Sequence, residues 1–124
     1  MTVLRCPTES EEQQALFEWA KFAECQYPSL KWLHAIPNGG LRHKATAARL
    51  KAEGVKAGVP DIDLPVAKGG YHGLRIEMKR RYGGRTSEDQ DEWLEGLREN
   101  GYLTGVCKGW CEARDLILWY LGQA

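Results

Sequence analysis

A chain of 124 residues holds one domain with one core, and its 43% apolar and 27% charged residues exclude an extended, disordered polymer. No apolar run approaches the roughly 20 residues a bilayer demands, and the start "MTVLRCPTESEEQQ" lacks a signal peptide's apolar core, so a soluble cytoplasmic protein with no membrane partner is expected. The 17 basic and 17 acidic side chains cancel, but unevenly: residues 37–85 carry +7, from 11 Lys/Arg against 4 acids, between flanks of −2 (residues 1–36) and −5 (residues 86–124). A basic middle between acidic flanks is the pattern of a polyanion-binding face.

In chain order, Ser10 to about Cys25 reads as a helix. Thr8 or Ser10 caps it, with Glu11 or Gln13 three residues on, and Ala15, Leu16, Trp19, Ala20 and Ala23 form its apolar stripe. Leu30–Ile36, "LKWLHAI", is short, apolar and partly alternating, which predicts a strand. "PNGG" (Pro37–Gly40) is a turn, and Arg42–Gly54 a basic helix stopped by its glycine. The loop "GVKAGVP" leads into a strand over Asp61–Val66. "AKGGYHG" turns the chain, and Leu74–Arg80 returns as the second arm of a hairpin. After "RYGGRT", Ser87 caps a third helix with Gln90 at the capping-box position, and Trp93, Leu94 and Leu97 form its buried face. Gly101–Gly109 is a strand and Cys111–Leu121 the last helix. The order α, β, α, β, β, α, β, α predicts an α/β fold with a mixed central sheet and helices on both faces.

Four cysteines raise the question of zinc. Cys107 and Cys111 are separated by three residues including Trp110, and no second close pair exists, so Cys6, Cys25, Cys107 and Cys111 read as ordinary thiols. His34 and His72 read as structural, and Trp19, Trp93, Trp110 and Trp119 as core.

The hairpin carries the chemistry. Side chains alternate along "LRIEMKR", so Leu74, Ile76 and Met78 face the core while Arg75, Glu77 and Lys79 face the other way. Glu77 and Lys79 then lie about 7 Å apart on one face. Asp61 opens the partner strand, where a hairpin brings it toward Glu77. Two converging carboxylates suit a hard divalent cation such as Mg²⁺. A neighbouring lysine suits water activation or the neutralising of phosphate charge. Taken alone, D…E-x-K also describes an exposed Glu77–Lys79 salt bridge.

The combination says more. "PD" (Pro60–Asp61) followed by "EMK" (Glu77–Lys79) after a hairpin resembles the PD-(D/E)XK nuclease superfamily. "IPNGG", "GVKAGVPDIDLP", "IEMKR" and "SEDQDEWLEGLRENGY" resemble, more narrowly, the virus-type replication-repair nuclease family, VRR-NUC, in a stand-alone, phage-type form. The resemblance covers roughly Glu9 to Tyr102 and implies a restriction-endonuclease-like αβββαβ core in a single domain over residues 1–124.

That resemblance implies roles. Asp61 and Glu77 would hold Mg²⁺ or Mn²⁺, with the Met78 carbonyl as a further ligand and Lys79 as the catalytic lysine. The family also places an acid from its first helix at the site. Glu9, Glu11 and Glu12 compete, and the stripe favours Glu12, four residues before Leu16 and seven before Trp19. Gln90 resembles the family's helix glutamine near the site, and its capping-box reading is equally good. Asp63, one pleat beyond Asp61, reads as supporting or structural. Asn38, Arg42, His43 and Lys44 follow the Gly-rich turn as candidate phosphate contacts, and Lys56, Arg80 and Arg81 join them from the same basic segment.

The expected function is thus metal-dependent, structure-selective DNA cleavage. Stand-alone members of the family resemble Holliday-junction resolvases, which implies a homodimer acting on a four-way junction. The rivals are a flap or single-strand nicking nuclease, a DNA-binding module without chemistry, and a partner-binding scaffold.

Overall fold

The computed structural model describes residues 5–37 and 44–124. Asn38, Arg42 and His43, with most of the predicted Pro37–Gly40 turn, lie outside the described residues. Helix α1 (Glu9–Ala23) begins at Thr8. The Thr8 hydroxyl accepts from the Glu11 N–H and the Glu11 carboxylate accepts from the Thr8 N–H, each at 3.1 Å. This reciprocal pair satisfies two backbone donors that a helix start otherwise leaves open.

The first predicted strand is mostly something else. Pro28–Trp32 forms a 3₁₀ turn, and strand β1 is only His34–Ala35. Pro28 is pre-set for a helix start, and Leu30 and Leu33, three apart, are both buried, the spacing that places two side chains on one edge of a 3₁₀ turn. The alternation seen in the sequence is that spacing in disguise. Helix α2 (Lys44–Ala52) has no buried residue. Strands β2 (Ile62–Leu64) and β3 (Leu74–Lys79), helix α3 (Glu88–Glu99), strand β4 (Leu103–Lys108) and helix α4 (Trp110–Leu121) fall where they were predicted, within a residue or two at each end.

The four strands form one sheet in the order β1-β2-β3-β4. β1 and β3 pair antiparallel with β2, while β4 runs parallel to β3. The parallel step is what α3 makes feasible, since a parallel pair needs a crossover element between its strands. Ile62, Leu64, Leu74, Ile76 and Met78 pack with Leu16 and Ala20 of α1 and Ala113, Ile117 and Tyr120 of α4 in one apolar cluster. Replacing a fully buried leucine such as Leu16 by alanine would cost about 2–5 kcal/mol. α3 packs against β4 with Leu94 buried outside that cluster. The sheet is thus flanked by helices, as expected. Trp119 departs from its predicted place in the core and is half exposed. Among the described residues no helix is long and apolar enough to cross a membrane.

Candidate active site

The register of the central pair assembles the site. Ile62 stands opposite Ile76 and Asp63 opposite Arg75, so one step further along the same register brings Asp61 across from Glu77. The Asp61 carboxylate accepts from the Met78 N–H at 2.8 Å, which holds it at the end of β3. On the other side, the Ile36 N–H donates to the Asp61 carbonyl at 2.7 Å. The loop before Asp61 rests on α3: Gly58 has φ +91°, and a Cβ there would stand 2.7 Å from the Asp89 backbone. Only glycine allows both that conformation and that approach. The contact brings the first turn of α3, and with it Gln90, to the "PD" segment.

Glu77 is 1% exposed. Burial pushes its carboxyl up to about 9, and a hydrogen bond with Asp61, together with the Asp61 charge, pushes the same way. Lys79 opposes the shift, and the Glu9 charge adds to it. Near neutral pH Glu77 therefore keeps its proton. Among the described residues Glu77 Oε1 is buried without a hydrogen-bond partner. Lys79 is itself buried at the end of β3, on the same face as Glu77.

The first-helix glutamates separate clearly. Glu11 is exposed, engaged in the capping box and paired with Arg5, which together hold its carboxylate down at about 2. Glu12 turns inward as the stripe demands and is 1% exposed. Its oxygens accept from Arg81 and from the Trp110 N–H. Glu9, which the stripe argument set aside, is the first-helix acid whose charge acts on Glu77. The sequence contained a signal for the Glu12 pairing: a carboxylate on an apolar stripe requires a buried partner. Its partner is 69 residues away.

The other candidates sort as follows. Asp63 is drawn away from the site, with Arg75 Nε 2.9 Å from its Oδ1, off the line of a good hydrogen bond, and His34 Nε2 3.5 Å from its Oδ2. The Gln90 Oε1 accepts from the Ser87 N–H at 2.8 Å, so the capping-box reading holds. The Met78 side chain is core, leaving its backbone to face the site. Lys44, Lys56, Arg80 and Arg81 lie at the surface, and of these Arg81 is tied to Glu12. The four cysteines are free, and burial raises the Cys107 thiol to about 12, which leaves it inert.

The central antiparallel pair of the mixed sheet thus presents Asp61, Glu77 and Lys79 at one end. The VRR-NUC domain family model matches residues 7–110. A solved structure described as a VRR_NUC domain protein superposes with a TM-score of 0.80 at 34% identity, over 96% of this chain and 93% of that one. The chain belongs to the VRR-NUC domain family, and with it to a family of nucleases. Comparison with curated proteins finds no match.

Proposed function

We propose that this chain is a Mg²⁺- or Mn²⁺-dependent endonuclease that hydrolyses DNA phosphodiester bonds. The observation that carries the reading is Glu77: a buried carboxyl facing Asp61, with one oxygen lacking a partner among the described residues. A carboxyl so placed is costly in isolation and is a natural ligand for a cation. The donor set suits a hard ion. Among the described residues no three His, Cys, Asp or Glu side chains gather around one point. Asp61, Glu77 and the Met78 carbonyl would leave the remaining positions to water and substrate oxygens, the coordination Mg²⁺ favours. An ion bound there would polarise the scissile phosphate and lower the pKa of a bound water.

The side chains do the rest. Glu77 would give up its proton on becoming a ligand. Asp61, anchored by the Met78 N–H, keeps its carboxylate aimed at the same point. Lys79, buried beside Glu77, orients the attacking water or neutralises charge developing on the phosphate.

For the substrate, the +7 middle segment supports one duplex arm per chain. Two copies about a two-fold axis would hold a four-way junction and place two sites on opposed strands. The test is cleavage of junction, flap, single-stranded and linear DNAs, with and without Mn²⁺. Metal-dependent symmetric cutting of the junction, lost in Asp61→Asn and Glu77→Gln, is the expected result. Preference for the flap would replace the resolvase reading with a flap nuclease. DNA binding without any cleavage would leave only a binding module.

A further inference from the structure

Glu12 lies on the core side of α1, yet it is an acidic residue and 1% exposed. Three contacts answer for it. Arg81 Nε donates to Oε2 at 2.7 Å and Arg81 Nη2 reaches Oε1 at 3.5 Å. The Trp110 N–H, at the first residue of α4, donates to Oε1 at 3.2 Å. Gly109 closes the arrangement. With φ +89°, a Cβ on it would stand 3.0 Å from Arg81 Cγ and Nε and 3.3 Å from Glu12 Oε2. The Gly109 N–H also donates to the Lys79 carbonyl at 3.0 Å, which ties this corner to the strand end bearing Lys79.

The guanidinium is therefore gripped by its Nε edge, while the Arg81 side chain stays 43% exposed. A guanidinium has five N–H donors in a rigid fork, and Nη1 takes no part in the contact with Glu12. An arginine already held in place loses less side-chain freedom on binding than a free one. Arg81 follows Lys79 by two residues, just past the end of the strand that bears Glu77 and Lys79.

We propose that Arg81 is a preorganised clamp for a DNA phosphodiester next to the scissile bond, and that Glu12 is a positioning residue that aims the guanidinium. This rests on the nuclease reading above for its substrate and assigns Glu12 no contact with metal. Glu12 largely neutralises Arg81 at long range, so the clamp acts through short charge-assisted hydrogen bonds rather than through steering.

The experiment measures anisotropy of a fluorescently labelled four-way junction in Ca²⁺ and, separately, Mn²⁺ affinity by calorimetry. Arg81→Met should weaken DNA binding about tenfold or more, as expected for loss of a charged hydrogen bond. Arg81→Lys should not restore it, because the fork is lost. Glu12→Gln should weaken DNA binding about threefold and leave Mn²⁺ affinity within about twofold, since positioning carries only part of a charged bond. Arg81→Met alone strands a buried charge, so the double variant Glu12→Gln/Arg81→Met guards against misfolding. It should bind DNA no more weakly than Arg81→Met, because Glu12 acts through Arg81. Unchanged DNA affinity in the folded double variant would make the pair purely structural and overturn the clamp. Additive losses, or a tenfold fall in Mn²⁺ affinity for Glu12→Gln, would overturn the positioning role. A wild-type chain that binds the junction without cutting any DNA would defeat the proposed chemistry and still allow the clamp to be read. One that binds no DNA would defeat the clamp.

Discussion

With its carboxyl raised to about 9, Glu77 keeps a proton through the neutral range, and a cation that uses it as a ligand must displace that proton. Mn²⁺ affinity should therefore rise by about tenfold per pH unit between pH 6 and 8, a slope that Glu77→Gln abolishes along with most of the binding. Calorimetry in buffers of differing ionisation heat would count the proton released. Without metal the sign reverses for stability. Between the ordinary glutamate pKa of 4.5 and about 9 the folded chain binds one proton more than the unfolded chain. Stability should fall as pH rises through that window, and Glu77→Gln should flatten the profile in a urea titration. A second prediction concerns α1. Glu9 acts on Glu77, whereas Glu11 is engaged at the surface by Arg5 and the cap. Glu9→Gln should therefore lower the Glu77 pKa in the metal-free chain, and Glu11→Gln should leave it unchanged, as followed by NMR titration. Equal titrations would show that Glu9 has no special place.

Among the elements, the contact between the "PD" loop and α3 is one where a single added atom would meet backbone. Gly58→Ala adds a Cβ 2.7 Å from the Asp89 backbone at a left-handed φ. Gly54 shares the conformation, with φ +103°, but a Cβ there meets nothing within 4 Å. Gly54→Ala should therefore cost only the backbone strain, about 1 kcal/mol. Gly58→Ala should cost more, about 2–3 kcal/mol, and also lower activity by shifting α3 against Asp61. Urea unfolding of the two variants side by side measures the difference. Equal costs would mean that α3 yields without resistance.

For the whole molecule, the expectation is a homodimer whose DNA binding is strongly salt-dependent. The phosphate contacts proposed for the +7 segment would release counterions on binding, so affinity should fall steeply as salt rises. Sedimentation should show a dimer at micromolar concentration, and the junction should be bound more tightly than linear duplex of equal length. A monomer that cuts flaps and junctions equally would rule out the two-site arrangement.

Local physics made much of this legible in the sequence. Period-two alternation put Glu77 and Lys79 on one face of β3, hairpin geometry brought Asp61 to Glu77, and the capping signatures at Thr8 and Ser87 stood as read. The helical stripe correctly turned Glu12 inward, because burial follows a period the sequence displays. It could not say what Glu12 would meet there. Arg81 is 69 residues away and Trp110 is 98 away, and such contacts depend on how α1, β3 and α4 converge. The same holds for the pairing of Asp63 with Arg75, for the parallel docking of β4 on β3, and for the charge of Glu9 acting on Glu77. Alternation and stripes record which side of an element faces inward. Which groups share that interior, and how far one carboxyl is driven from its ordinary pKa, is decided by packing between segments distant in sequence.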